Sequence, residues 1–301
     1  METILITGGT GLIGRHLCKK LKEKGYDVAV LSRTIRHNSD VPAYFWDPGK
    51  NEIEKEAITK ADYIIHLAGA GIGDKKWTGR RKKLIIDSRV RTGQLLFDKI
   101  QEYDHKLKAF ISASGVGYYG TITSDRIFLE KDPPSVDFTG ETCRQWEETA
   151  EKFEQSGTRT VKIRTGVVLA AEGGALPRMM APVRLGIGSA VGTGRQFIPW
   201  IHIDDICNIY IKAIEDPRMK GAYNAAAPDF RSYRDFIVAA ARILKKPLFA
   251  PDIPQFVMKI IFGEMSVILL EGSRVSSDKI RAAGFNFNFP DLKSALRDLI
   301  S

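Results

Sequence analysis

The chain has 301 residues, 44% of them hydrophobic and 27% charged, with a formal net charge of +9. That length buries a sizeable core, as one large α/β domain or a main domain with a satellite, and the balance of apolar and charged residues excludes a disordered chain. No apolar run reaches the length of a membrane span, the nearest, around Phe256 to Leu270, being broken by Lys259, Gly263 and Glu264, so no membrane partner is expected.

Thr3 to Thr7 is a short apolar run of strand type that opens the chain without room for a signal peptide, which predicts a cytoplasmic protein. Leu12 to Lys24 then shows helical spacing, with Leu12, Ile13, Leu17 and Leu21 on one side and Gly25 as the stop. Asp27 to Ser32, Ala43 to Trp46 and Tyr63 to Leu67 read as three more strands. In the basic stretch DKKWTGRRKKLIIDSRVR, Asp74 to Arg91, the apolar residues Leu84, Ile85, Ile86 and Val90 recur at helical spacing. This is either a helix with a solvated basic face or a positive field that draws in a phosphorylated ligand. No DNA-reading motif accompanies it, so nucleic acid is not expected as a partner.

Lys108 to Ala113 is a fifth strand, Thr139 to Gln155 a helix and Arg159 to Arg164 a sixth strand. Strands alternating with helices mean right-handed crossovers and an α/β fold with a doubly wound parallel sheet. Beyond Gly166 the alternation weakens, and Gly173 to Gly194 is rich in glycine, with Pro177 and Pro182 among them. From Ser232 onward helices dominate, at Ser232 to Lys245, Gln255 to Glu271 and Leu292 to Ile300, which predicts a smaller, mostly helical C-terminal substrate lobe. Cys18, Cys143 and Cys207 have no disulfide or metal-ligand spacing, and His16, His37 and His105 are scattered, so no metal site is expected.

The stretch TGGTGLIG places Gly8, Gly11 and Gly14 between the first strand and the first helix. Small residues there let the backbone turn tightly and approach a pyrophosphate, whose charge the helix N-terminus then binds. The spacing predicts a dinucleotide site at Gly8, Thr10, Gly11, Leu12, Ile13 and Gly14 in a Rossmann-type domain. This domain spans 1–170, with 195–228 returning to it; 171–194 and 229–301 form the second lobe. At the end of the second strand, where an NAD site commonly has an acid, stand Ser32 and Arg33, with Arg36 close behind. A guanidinium suits a 2′-phosphate, so NADP(H) is expected in preference to NAD(H).

TGGTGLIG, HLAGAG at His66 to Gly71 and PWIHIDD at Pro199 to Asp205 resemble the extended and atypical branches of the short-chain dehydrogenase/reductase superfamily. WTGRRKKLIIDSRVRTGQLL, GVGYYG, RTGVVL, GIGSAVGTGRQFIPWIHIDD and the C-terminal GEMSVILLEGSRVSSDKIRAAGFNFNFPDLKSAL resemble its "epimerase family" proteins, which carry a C-terminal domain of their own. The resemblance implies that Leu67, Ala68, Gly69 and Ala70 pass beneath the adenosine ribose and pyrophosphate. It also places Arg89 near the cofactor and Arg164 and Gly166 beside the nicotinamide, and it implies a homodimer paired through the long crossover helices.

Such enzymes usually move a proton with a tyrosine whose pKa is lowered by a lysine four residues on. None of the nine tyrosines here has a lysine at that spacing. In VDFTGETCRQWEETAE the tyrosine's place falls to Thr139 or Gly140 and the lysine's to Cys143 or Arg144. Other donors follow the fifth strand, where ISASGVGYYG offers Ser114, Tyr118 and Tyr119 as catalytic candidates, unless both rings only pack a turn. Downstream, Arg195, Trp200 and His202 are expected at the substrate, with Gln196 beside them, and His66 is expected to be a satisfied core residue. The leading reading is an NADP-dependent oxidoreductase or epimerase-like enzyme on a small polar metabolite. The alternative is a catalytically inactive protein that senses the NADPH to NADP⁺ ratio.

Overall fold

A computed structural model describes residues 1–35 and 40–300, so Arg36 and His37 lie outside the described residues. The first half alternates as its periodicity predicts: β1 (Thr3–Thr7), α1 (Leu12–Glu23), β2 (Asp27–Ser32), β3 (Ala43–Asp47), β4 (Glu52–Ile53), α2 (Lys55–Thr59), β5 (Tyr63–His66), α3 (Gly79–Glu102), β6 (Ala109–Gly115), β7 (Ile127–Phe128), α4 (Phe138–Gln155) and β8 (Thr160–Thr165). The second half is more broken: β9 (Val167–Ala170), β10 (Gly173–Gly174), α5 (Leu176–Arg184), β11 (Phe197–Ile198), β12 (Trp200–His202), α6 (Ile203–Glu215), β13 (Gly221–Ala225), β14 (Arg231–Ser232), α7 (Tyr233–Leu244), α8 (Gln255–Phe262), α9 (Val267–Leu270), β15 (Arg274–Val275), α10 (Asp278–Ala282) and α11 (Leu292–Ile300).

Eight strands form one sheet in the order β13-β8-β6-β5-β1-β2-β3-β4, parallel except for the β3–β4 edge. The chain winds outward from β1 to β2 and β3, then returns to place β5 and β6 on the other side. The reversal opens a crevice beyond the C-terminal ends of β1 and β5, where ligands of such sheets bind. Side-chain alternation fills both faces. Ile4 and Ile6 point into a core with Leu17, Leu21, Ile206 and Tyr210 from α1 and α6, while Leu5 points the other way, into a core with Leu96, Phe110 and Phe153 from α3, β6 and α4. A third core brings together Leu176 and Met180 of α5, Trp200 of β12, Phe236 of α7 and Leu296 of α11.

Local signals explain the boundaries. Thr78 caps α3 by accepting from the Arg81 amide at 3.2 Å, Asp137 caps α4 by accepting from Gly140 at 2.8 Å, and Ser232 with Asp235 forms a capping box at α7. Two segments depart from expectation. The helix expected over Gln255 to Glu271 breaks at Gly263, whose φ of 61° ends α8. The glycine-rich Gly173 to Gly194 stretch holds α5, because Pro177 occupies its first turn, where no amide partner is needed. Among the described residues no helix is long and apolar enough to cross a membrane.

The Phe110 and Phe153 rings stack with centroids 3.7 Å apart and fix α4 to the sheet. Phe153→Ala should lower unfolding free energy by about 3–5 kcal/mol, read as a shift in denaturant midpoint.

Candidate functional site

The glycine loop and the β5–α3 loop touch at distances only glycine permits. Gly8 has a φ of 71°, and a Cβ there would lie 3.0 Å from the Ala68 amide; a Cβ on Gly14 would lie 2.3 Å from the Gly8 carbonyl. Gly11 caps α1 in an extended conformation, donating its amide to the Gly8 carbonyl at 2.9 Å, while no side chain caps the helix and no acid occupies its first turn. The positive end of α1 is therefore free for an anion, with Thr10 and Gly69 exposed on the two sides of the cradle.

A buried relay holds the two loops together. Thr7 Oγ1 accepts the Leu67 and Ala68 amides at 3.1 Å each and donates to His66 Nδ1 at 2.8 Å. That assignment leaves the proton on Nε2, which faces the Arg89 carbonyl at 3.3 Å. Burial lowers the His66 pKa to about 4, so the ring is neutral and structural. Arg89 works on the same loop, donating to the Ala70 carbonyl at 3.0 Å and lying over the Trp146 ring at 4.9 Å; burial lowers its pKa to about 10. At the end of β2, Ser32 is occupied with Thr34, its hydroxyl donating to the carbonyl at 2.7 Å, and Arg33 is exposed.

At the C-terminal end of β6, Thr139 and Cys143 are the α4 residues that face inward: a Cβ on Gly117 would lie 3.2 Å from Thr139 Cβ, and one on Gly115 would lie 3.6 Å from Cys143 Sγ. Gly140 packs on Ser135 and Arg144 turns outward to Glu141 and Glu148. Burial pushes the Cys143 thiol up to about 11.

Beside them lies a buried polar network. Arg164 makes a two-pronged pair with Glu147, both contacts at 2.8 Å, and Ser114 donates to Glu147 Oε1 at 2.7 Å. The same guanidinium donates to the Tyr119 hydroxyl at 2.8 Å, which donates in turn to Asn224 Oδ1 at 2.7 Å. Ser114 and Tyr119 are therefore committed to structure, and burial pushes the Tyr119 pKa to about 12. Arg164, expected beside the nicotinamide, is 3% exposed and locked in this network instead. Tyr118 is only partly buried; its ring lies 3.4 Å from the guanidinium and burial raises its pKa.

Of the residues expected at the substrate, Arg195 is exposed. The other two call for correction. Trp200 is fully buried, its indole donating to the Asp229 carbonyl at 3.1 Å. His202 is also buried, accepts the Asp204 amide at 3.1 Å as the cap of α6, bonds Asp298 at 3.1 Å and stacks on Phe289. Neither presents a free atom to a ligand, and burial lowers the His202 pKa. Gln196 is likewise buried, donating to the Val191 and Leu269 carbonyls at 3.0 and 2.9 Å. Among the described residues no group of three or more His, Cys, Asp or Glu side chains could hold a metal ion.

Residues 4–226 match the model of the NAD dependent epimerase/dehydratase family. The chain belongs to this family. Residues 253–299 match a domain of unknown function, DUF1731, so the expected family with its own C-terminal domain is the one found. Among relatives, the chain is 36% identical to the epimerase family protein SSP1921 of Staphylococcus saprophyticus, covering all of both chains. Its structure resembles the human epimerase family protein SDR39U1 with NADPH, at a TM-score of 0.87 and 31% identity over 99% of this chain and 98% of that one. It also resembles the nucleoside-diphosphate sugar epimerase from Corynebacterium glutamicum, at a TM-score of 0.80 and 29% identity over 99% of this chain and 58% of that one.

Within this epimerase/dehydratase framework, sequence reasoning missed Thr7, Glu147 and Asn224. A signal existed for Glu147: Arg164 and Lys162 share one face of a strand, and cations seldom sit in a core unpaired. Thr7 and Asn224 carried no comparable signal.

Two outcomes follow from this geometry. Neutral His66 contributes stability present above its ordinary pKa of 6.5 and lost as pH falls toward 4, about 3 kcal/mol in all. Melting temperatures between pH 7.5 and 4.5 should fall more steeply for the wild type than for His66→Asn. Glu147→Gln leaves a buried guanidinium uncompensated and should lower stability by about 3–5 kcal/mol, measured by urea unfolding.

Proposed function

We propose that the protein is an NADP(H)-dependent oxidoreductase acting on a small polar metabolite in the cytoplasm. The observation that carries this reading is the exposed Arg33 at the end of β2, the strand paired with β1, whose glycine loop leads into the uncapped N-terminus of α1. Gly8 to Gly14 would hold the pyrophosphate, Leu67 to Ala70 would underlie the adenosine ribose, and Ser32 and Arg33 would take the 2′-phosphate. The likeness to the human relative with NADPH supports the same cofactor. When bound, NADP(H) supplies or accepts a hydride at its nicotinamide. Tyr118 carries the accompanying proton, since of the three candidate hydroxyl residues it is the one with exposed surface and a cation against its ring. Arg195 would bind an anionic group of the substrate.

A second reading, an NADPH-binding redox sensor without catalysis, is favoured by one observation. The Ser114 and Tyr119 hydroxyls are both consumed by the Arg164 and Glu147 network.

Arg33→Ala should weaken NADPH about 10- to 100-fold, the loss of a charge-assisted contact, and leave NADH affinity unchanged, read by fluorescence titration of both cofactors. Tyr118→Phe should reduce substrate-dependent NADPH oxidation by about 10²–10⁴ while NADPH affinity holds; equal turnover would remove Tyr118 from the reaction.

A further inference from the structure

The positive surplus of the sequence is not confined to its basic run. Between Asp74 and Arg91 the structure sets Arg81 near Asp74, Lys82 on Glu264 and Lys83 on Asp87 and half-buries Arg89 under the cofactor loop, while Lys75, Lys76, Arg80 and Arg91 are exposed and in no ion pair among the described residues. The C-terminal half of the chain holds a second group. Arg184, Lys245, Lys246 and Lys259 are all exposed and in no ion pair among the described residues. The carboxylates closest in sequence, Asp252 and Glu264, are already held by Arg234 and Lys82.

Apolar side chains stand among these cations. Leu185 and Ile187 flank Gly186, which packs on Pro247, and Gly188 packs on Leu248, so the chain after α5 and the chain after α7 share one surface. Leu185 and Phe249 are each 76% exposed there. The second strip continues through Ile253, whose amide bonds the Ala190 carbonyl at 2.8 Å, directly into α8. This helix, QFVMKIIF, is apolar apart from Gln255 and Lys259, a pattern that normally means cover on most sides. Yet Met258 is its one buried residue, Ile260 is 72% exposed, and Phe256, Lys259 and Ile260 share the outward face.

We propose that this face docks on an anionic membrane surface. The outward face of α8 and the Leu248–Phe249 tip enter the headgroup boundary, and Arg184, Lys245, Lys246 and Lys259 meet lipid phosphates. Apolar groups interleaved with long cationic side chains suit that boundary, because lysine and arginine stems lie along apolar material while their heads reach phosphate. A second copy fits less well, since a two-fold contact brings the same four cations together. Single-stranded nucleic acid wants stacking rings, and aliphatic Leu185, Ile187, Leu248, Ile260 and Ile261 outnumber the two phenylalanines. The sequence excluded a membrane span; lying on the surface demands only one apolar face.

The test is co-sedimentation of the full chain with vesicles of phosphatidylcholine alone and of phosphatidylcholine with about 30% phosphatidylglycerol. The wild type should bind the anionic vesicles, leave the neutral ones largely unbound and release as salt rises. Phe256→Ser with Ile260→Ser should lower the bound fraction about tenfold, with melting temperature and NADPH affinity unchanged. Phe249→Ser, outside α8, gives an independent reading if the double variant misfolds, and Lys245→Glu with Lys246→Glu should weaken binding to anionic vesicles alone. Any of three results overturns the proposal: equal sedimentation of wild type and variants, a wild-type dimer in velocity sedimentation that Ile260→Ser dissociates, or tighter binding to a single-stranded oligonucleotide than to vesicles.

Discussion

The cofactor end of this protein depends on one close approach, that of the Gly8 backbone to the Leu67–Ala68 peptide. A Cβ at Gly8 would begin 3.0 Å from the Ala68 amide, so any side chain would push the two loops apart. Thr7 and His66 then make the approach rigid, because one hydroxyl takes two amides of the second loop and is itself oriented by a buried imidazole. The relay commits His66 to neutrality and to structure. It also leaves the positive end of α1 and the exposed edges of both loops for a ligand, which is how sheet topology becomes a binding site.

A second constraint governs the other end of the crevice. On α4 the inward-facing Thr139 and Cys143 sit beside a buried ion pair, Glu147 with Arg164 of β8. Burying that pair carries a large desolvation penalty, which only complete hydrogen bonding offsets. Ser114, Tyr119 and the Glu130 carbonyl complete it, and Asn224 extends it to the Ser276 carbonyl. The network therefore ties β6, α4, β8 and β13 to the C-terminal lobe. It rigidifies the turn that carries Tyr118 and commits the Ser114 and Tyr119 hydroxyls to structure.

Much of this was legible beforehand because it rests on period and punctuation. The parallel strands announced themselves as apolar runs, and the glycine loop by its spacing between a strand and a helix. The missing tyrosine and lysine pair could be found by exhausting nine tyrosines. What was not legible depends on tertiary partners. Trp200 and His202 read as pocket walls, because a buried capping imidazole and a ligand-facing one have the same local sequence. The basic run before Arg91 left a solvated helix face and a positive field both open, because Glu264, nearly two hundred residues on, is invisible as the partner of Lys82. The same blindness hid Arg184, Lys245, Lys246 and Lys259, which have no ion pair among the described residues and lie where the periodicity was weakest.

The central claim is hydride transfer at an NADP(H) site whose proton relay is not a tyrosine and lysine pair. It is tested most directly by incubating the protein with NADPH deuterated on C4, in each stereochemical position, together with a cell metabolite extract. Mass spectrometry then follows the label. Deuterium from one face of the nicotinamide should appear in a single small polar metabolite. Tight binding with all label retained on the cofactor, and no reduction of NADP⁺ in the reverse direction, would contradict the claim and leave a sensor.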